Sequence, residues 1–384
     1  MSTGVFHPSV AELITGTHQV IVTARAISGG TTVPLDVEDY LVDWTERRTP
    51  RCTATLVCAA PDEATLALLD PRTYVRVIVT VSYRLASGSW DAHDVAHLQL
   101  RDRTVNRPRD TVTLTCASHE AAVLDFSPMT QHPDDYGTAM PDGTYTTTWD
   151  SASGMTRNII ADMLLELLAG PMSDVTVVDE VHSGPATVPI NPNDRWDQFE
   201  SAAEQNGYEI LDAGDRVIRL AALPALSPDT ALALTVGANG TIEDSDAGVD
   251  RDGWANFVTL RYRWQEMSGT ERVDRFTYGQ QWVQSGPYAP TSSGWKTLVE
   301  DRDGHPGQQQ ANQAAANLLS RMLSRARSHT LTAVPAWWLR AGHTVTVQLP
   351  TGPQERHLVA GVVFRPTGMT VVTRLPDSVS TIGA

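Results

Sequence analysis

Asp91-Ala-His93-Asp94-Val-Ala-His97 is the densest cluster of metal-ligand side chains in the sequence. Two imidazoles and two carboxylates so close together could offer a cation both nitrogen and oxygen donors. The segment falls between β-forming runs, however, where polar turns collect such residues. A solvated hairpin tip is expected there, with His97 opening the following strand. A second candidate is Glu243-Asp244-Ser-Asp246-Ala-Gly248-Val-Asp250-Arg-Asp252-Gly253, whose acidic and small residues alternate as in a calcium loop. Val249 stands where such a loop needs glycine, and Ala255 where it needs the closing glutamate. An acidic linker over 243–252 is therefore expected in place of a calcium site. Asp134 or Asp135 could join a distant carboxylate in glycoside hydrolysis, but no spacing in the sequence brings two of them to a catalytic separation.

Nucleophilic and phosphate chemistry have no local signature. Gly-x-Ser-x-Gly, His-Glu-x-x-His and Cys-x-x-Cys do not occur, and the sole lysine, Lys296, follows Trp295 instead of the glycine of a phosphate loop. Cys52, Cys58 and Cys116 lie in β-type stretches without metal-ligand spacing and read as small buried hydrophobes. Of the ten tryptophans, Trp254, Trp264, Trp282, Trp295, Trp337 and Trp338 crowd the later part of the chain. Exposed, they would stack on sugars; in a β-rich domain they pack a core or a subunit interface, and that role is expected for most. No catalytic, cofactor-binding or metal-binding residue is assigned, and no cofactor is expected.

The 384 residues carry a net charge of −16, with 41% hydrophobic and 19% charged residues, an ordinary composition for two or three folded domains. Such acidity argues against a basic nucleic-acid-binding face. It suits a soluble surface, or a conduit that repels the DNA backbone and so does not trap it. The N-terminus shows no secretory signal. The most apolar stretch, near Met163–Met172, is short and broken by Glu166, so no stable membrane insertion is expected.

Three regions would have to position any chemistry. Residues 1–125 read as all-β, with runs at Val20–Ile27, Ala54–Cys58, Tyr74–Tyr83, His97–Leu100 and Thr111–Cys116 divided by Gly/Ser turns. Residues 126–222 read as an α+β insert. It has a polar loop over Ser127–Asp150, a helix at Met155–Leu168, a second helix after Asn193-Asp194 and a hairpin from Tyr208 to Leu220. Residues 223–384 return to β, with a strand at Asn256–Trp264 and a long helix at about 306–327. That helix carries one apolar stripe, from Ala311 through Leu318 and Leu319 to Ala326, and is expected to lie across its own barrel or a partner subunit. The fold expected is mainly β with an α+β insert: two tube-like β-barrel domains in one chain, an α+β module between them, and one long amphipathic helix in the C-terminal part.

The two β regions also resemble each other. HLQLRDRTVNRPRDTVTLTC begins at His97 and HLVAGVVFRPTGMTVVTRL at His357. Each opens with His-Leu, reaches an Arg-Pro (Arg107-Pro108, Arg365-Pro366) and ends in alternating β-formers. Each is preceded by a strand, Tyr74–Val79 or His343–Gln348. An internal duplication suggests symmetry-matching in an assembly instead of catalysis.

With this domain order the chain resembles the tail hub family of long-tailed bacteriophages, which includes siphophage tail-associated proteins and the baseplate hub of contractile tails. The residues that carry the resemblance are Leu68-Leu69-Asp70-Pro71 before Val75–Val79, and Arg195-Trp196-Asp197-Gln198-Phe199 through Gly207-Tyr208-Glu209-Ile210. They continue with Asn256-Phe257-Val258-Thr259-Leu260 and the Ala/Leu-rich helix Ala311–Arg327 before the closing strands. The resemblance implies a structural, non-enzymatic virion protein at the tail tip, made in the host bacterial cytoplasm. It implies a homotrimer whose two barrels per chain form a pseudo-six-fold ring around the channel for genome passage. The partners implied are the distal tail protein or tail tube ring, the tape measure protein, and other minor tail or tip fibre proteins, with viral DNA only in transit. The chain ends at Ala384 without a fibre or wall-degrading domain, so those activities are expected on separate proteins. A reading from a different class is a carbohydrate-active or receptor-binding β-protein, either glycosidase or glycan-binding module.

Overall fold

The computed structural model describes most of residues 18–374. Outside the described residues lie 126–137, 140–144, 149–163, most of 165–173 and of 191–206, residues 182–186 and shorter stretches. At the ends only Phe6, Val10, Ile14 and Ile382–Gly383 are described. The fold is mainly β.

The first β region contains β1 (Val20–Ser28), β2 (Thr31–Leu35), β3 (Val37–Thr45), β4 (Cys52–Ala59), β5 (Val75–Arg84), β6 (Trp90–Asn106) and β7 (Thr111–Ala117). All pair antiparallel, in the order β3-β4-β7-β6-β5-β1-β2. Strict alternation explains the strands: β4 buries Cys52, Ala54, Leu56 and Cys58 and turns the intervening residues outward. Between β4 and β5 sits the short helix α1 (Glu63–Leu68), whose first turn is capped by Asp62 accepting from the Thr65 N–H at 2.7 Å. Helix α2 (Glu120–Asp125) follows β7.

The insert holds two small sheets. One joins β8 (Thr138–Ala139), β9 (Tyr145–Thr148) and β11 (Thr187–Ile190); the other joins β10 (Thr176–Asp179), β12 (Tyr208–Asp212) and β13 (Val217–Ala222). The polar stretch 127–150 therefore contains two strands instead of loop alone, the Tyr-Thr-Thr-Thr run being β-branched enough to pair. Of the helix expected at Met155–Leu168 only Leu164 is described, and it is helical and buried. Trp196, Phe199 and Ala203 of the second expected helix are helical, buried, and packed with Tyr208, Ile210, Ile218 and Leu220.

The second β region contains β14 (Leu232–Thr235) and β15 (Ile242–Val249). A separate layer interrupts it: β16 (Phe257–Ser268), β17 (Glu271–Val283), the single turn α3 (Pro290–Ser293), β18 (Thr297–Asp303) and helix α4 (Gln308–Arg325). The region resumes with β19 (Arg327–Ala333), β20 (Thr344–Gln348), β21 (Glu355–Arg365) and β22 (Gly368–Arg374), and β23 (Ile382–Gly383) returns to pair with β17. Helix α4 lays Ala311, Ala314, Ala315, Leu318 and Leu319 on Val258, Leu260 and Tyr262 of this separate sheet, where the apolar stripe suggested its own barrel or a partner subunit. Gly279 makes the approach possible, since a Cβ there would lie 2.0 Å from the Ala311 carbonyl oxygen.

The order in the second region is β15-β19-β22-β21-β20-β14. In chain order its strands take the same places in the sheet as β1, β3, β4, β5, β6 and β7 take in theirs, with α1 replaced by the segment Pro335–Gly342. Each long central strand carries a bulge opposite the strand that follows it, at Arg101 and at Ala360, and β6 has a further one at Val95 opposite β5. Counting from the bulges, Leu98 corresponds to His357. The resemblance His97-Leu98 to His357-Leu358 is therefore displaced by one residue, a slip that exchanges faces: His97 is partly exposed and His357 fully buried. One pairing differs, since β1–β5 is antiparallel and β14–β20 parallel.

Two more sequence expectations change. Asp91–His97 is not a hairpin tip but the first half of β6, paired to β5, and the turn falls at 85–89. The acidic stretch at 243–249 is not a linker but β15, a strand hydrogen-bonded to β19 on one side, a position where charged side chains reach water.

Candidate assembly interface

The two β regions meet strand to strand. Thr45, Trp44, Asp43 and Val42 of β3 pair antiparallel with Gly361, Val362, Val363 and Phe364 of β21, which makes one 13-stranded sheet. Gly361 fits this contact because a Cβ would stand only 3.2 Å from the Trp44 carbonyl. The Glu46 N–H donates to the Ala360 carbonyl at 3.0 Å, and its carboxylate accepts from Arg374 Nε at 2.9 Å. One hydrophobic cluster runs across the join, from Val42 and Trp44 to Trp337, Val362 and Phe364. Trp337 stacks flat on Phe364, ring centroids 4.1 Å apart.

Arg340 clamps the join. Its guanidinium lies 4.6 Å from the centre of the Trp44 ring and donates to the carbonyls of Val95 at 2.7 Å, Trp337 at 2.7 Å and Leu339 at 2.8 Å. Burial lowers its pKa to about 10, partly offset by Cys52 and Asp215, so the group stays charged at neutral pH. The three cysteines are buried free thiols.

The insert docks onto the same tryptophan. Gly214, at φ +73°, sits where a Cβ would fall 2.3 Å from Trp44 Cη2, and its carbonyl accepts the His97 N–H at 2.8 Å. Beside it lies a buried polar joint built from the end of β7 and the end of β12. Glu120 accepts from the Arg51 N–H at 2.6 Å, the Ser118 hydroxyl at 3.0 Å and the Asp212 N–H at 3.2 Å. Asp212 accepts the His119 N–H at 2.8 Å and lies 2.9 Å from His119 Nδ1. Arg51 also pairs with Glu209 at 2.8 Å.

Burial, with Asp212 nearby, pushes the Glu120 carboxyl up to about 7 despite Arg51. Burial works in the same direction on Asp212, but the hydrogen bonds and charge of His119 outweigh it and hold that carboxyl below its usual range. Burial opposes the charge on Arg51, and Glu209 and Glu120 outweigh it, so its pKa is raised.

The sequence-selected ligands do not converge. His93 Nε2 lies 2.8 Å from Asp91, while Asp94 pairs with Arg25 at 2.7 Å and stands 3.8 Å from His97. Burial lowers the His97 pKa to about 4. Asp134 and Asp135 lie outside the described residues. Trp254 and Trp337 are buried, as expected of most tryptophans, but Trp295 is 65% exposed. What sequence reasoning missed is a cluster of His329, Glu355 and His357, whose ligand atoms lie within 4.8 Å of one another. Glu355 and His357 alternate onto one face of β21, but His329 comes from β19, two strands away, so no local spacing marks the set. No helix among the described residues is long and apolar enough to cross a membrane.

No family model and no curated protein matches the sequence. Solved structures do match the fold. A tail protein from Neisseria meningitidis superposes with TM-score 0.59 at 14% identity, covering 93% of this chain and 97% of that one. The 43 kDa tail protein of prophage MuSo2 from Shewanella oneidensis gives TM-score 0.57 at 10% identity, covering 93% and 99%. A prophage tail protein from Listeria monocytogenes gives 0.50 at 9% identity, covering 93% and 96%. Over 93% of its length, then, this chain has the fold of phage and prophage tail proteins.

Proposed function

We propose that the protein is a structural tail hub of a long-tailed bacteriophage, a homotrimer forming a pseudo-six-fold ring at the tail tip. The observation that carries this reading is the repeated strand order, β3-β4-β7-β6-β5-β1 against β15-β19-β22-β21-β20-β14, joined by a hydrogen-bonded seam. Two like units per chain let three chains present six similar walls, so a three-fold tip can seat against a hexameric tube. The shared fold of the tail proteins of Neisseria, Shewanella and Listeria supports it. The ring links the tail tube or distal tail ring to tip fibre proteins, adjoins the tape measure protein, and surrounds the channel for genome passage. A net charge of −16 favours sliding of DNA over sticking. In this reading the residues hold and orient neighbours and no side chain performs covalent chemistry.

Imaging of assembled tails tests it. Three copies around the axis at the tip are expected; one or six axial copies, or absence from the tip, would overturn it. A monomer with glycan affinity would instead favour the carbohydrate-binding reading.

A further inference from the structure

Within the chain β3, which ends the strand order of the first β region, adds to a central strand of the second, β21. The duplication supplies the same two elements once more, with roles exchanged: β15 is the counterpart of β3, and β6 the counterpart of β21. Both offer unused backbone among the described residues. β15 pairs with β19 on one side only. β6 pairs with β5 as far as Gln99; beyond it, residues 100–106 have β7 on one side and no strand on the other. An unpaired edge presents N–H and C=O groups in register for an added strand.

The register follows from the bulges. Val362, Val363 and Phe364 stand as far past Ala360 as Arg103, Thr104 and Val105 stand past Arg101. Through β4 and β7, Val42 connects to Cys116; through β19 and β22, Ala247 connects to the corresponding Thr373. Ala247, Gly248 and Val249 are thus the counterparts of Val42, Asp43 and Trp44. The core-facing side of the open edge is under-covered: Phe364 and Val362 are fully buried, whereas Val105 and Arg103 are partly exposed.

Charge agrees with this register. An antiparallel strand with Ala247 opposite Val105 carries its acidic start, Glu243, Asp244 and Asp246, past the turn holding Arg107 and Arg109. All five of these side chains are exposed. Arg107 has a surface partner within the chain, Glu63, with side chains 62% and 75% exposed, a pair weak enough to be exchanged.

We infer that β15 of one copy adds to the free edge of β6 in the next copy, pairing Ala247 with Val105, Gly248 with Thr104 and Val249 with Arg103 of that copy. The contact is heterologous and repeats the internal seam, and it closes a ring where the rotation from copy to copy completes a full turn in three steps. This rests on the multi-copy reading proposed above and names its interface.

Cross-linking tests it on the full chain. Under mild oxidation, Thr104→Cys with Gly248→Cys should give disulfide-linked multimers ending at the closed ring, while each single variant and the out-of-register pair Thr104→Cys with Asp244→Cys should not. Because a cysteine at Gly248 could disturb the strand, a charge-reversal series provides the second measurement. Arg107→Glu with Arg109→Glu should raise the assembly Kd about tenfold or more, and adding Glu243→Arg with Asp244→Arg should restore it to within about threefold. A wild-type ring whose in-register pair fails to link and whose charge reversal has no effect overturns the strand junction and leaves the tail hub standing. A wild-type chain that remains monomeric at all concentrations overturns both.

Discussion

The seam inside the chain and the open edge of β6 are the same structure in two states of completion. At the seam, β21 receives β3, Trp337 covers Phe364, and Arg340 ties the join to Trp44 and to the Val95 carbonyl of β6. At the open edge, the position of Phe364 is taken by Val105 and that of Val362 by Arg103, whose guanidinium donates to the Leu66 carbonyl of α1. The strand order is common to both, so topology does not decide which edge is filled. The side chains do: large apolar groups where the partner strand belongs to the same chain, smaller and charged groups where no strand among the described residues is paired. An edge that must stay soluble before meeting its partner cannot display the aromatic packing of a finished seam.

The largest expected effect breaks the finished side. Phe364→Ala removes a fully buried ring and leaves Trp337 facing a cavity. A loss of roughly 3–5 kcal/mol is expected. Denaturant unfolding followed by tryptophan fluorescence measures it, and a loss near that of a surface substitution would deny the seam its place in the core.

Next comes Gly214→Ala, set against Gly88→Ala. Both glycines have positive φ, +73° and +84°, but a Cβ at Gly88 meets nothing within 4 Å whereas one at Gly214 meets Trp44 at 2.3 Å. The Gly88 change should cost about 1 kcal/mol from backbone strain alone. The Gly214 change should cost roughly 3 kcal/mol, adding the displacement of the seam tryptophan. Equal costs in thermal or denaturant unfolding would mean that the insert is not locked to Trp44.

Much of this fold was legible in the sequence, for reasons that also mark where legibility stopped. The alternation in Cys52–Ala59 and Thr111–Ala117 is the direct imprint of one buried face, and the helix at Gln308–Arg325 shows its apolar stripe plainly. β3 leaves no such mark because Glu38, Asp39 and Asp43 dilute its pattern, although it is the seam strand. β15 reads as a linker for the same reason: the exposed Glu243, Asp244 and Asp246 leave no apolar alternation to mark the strand. The His-Leu repeat found the duplication but misplaced it by one residue, since identity of two letters carries no register while a bulge does. The polar joint joins Ser118, His119 and Glu120 to Asp212, residues far apart in sequence whose only local mark is three polar side chains directly after an apolar strand. Long-range pairing decides their chemistry, and no spacing rule reaches that far.

That joint gives a pH test of how the insert is held beside the seam. Glu120 has its pKa raised from 4.5 to about 7 in the fold, so its contribution is fully present below about 4.5 and is lost as pH rises through 7. Asp212, held low, acts in the opposite sense and loses its contribution only as pH falls through its own depressed pKa. Between pH 5 and 8 this carboxyl alone should remove on the order of 2–3 kcal/mol of stability. His97 and His343, whose burial lowers their pKa values to about 4, act in the opposite sense below about pH 6.5, so the test is the difference between the wild type and Glu120→Gln, which cannot ionise and keeps both histidines. The wild type should lose that amount relative to the variant from pH 5 to 8; a difference that does not change with pH would show that the carboxyl is already ionised at pH 5.

The smallest effect sharpens the contrast most. Val105→Ala removes two methyl groups from the open counterpart of Phe364, where burial is only partial. In the isolated chain this should cost about 1 kcal/mol or less, because half-exposed methyls contribute little by leaving water. In the assembled ring, where β15 of the next copy would cover the position, the same change should weaken association several-fold more than its effect on unfolding of the monomer accounts for. Measuring both quantities on the one variant separates an edge that is merely solvent-facing from one that awaits a strand. Equal small losses in the two experiments would place Val105 outside the contact, and the open edge would then be a true end of the sheet.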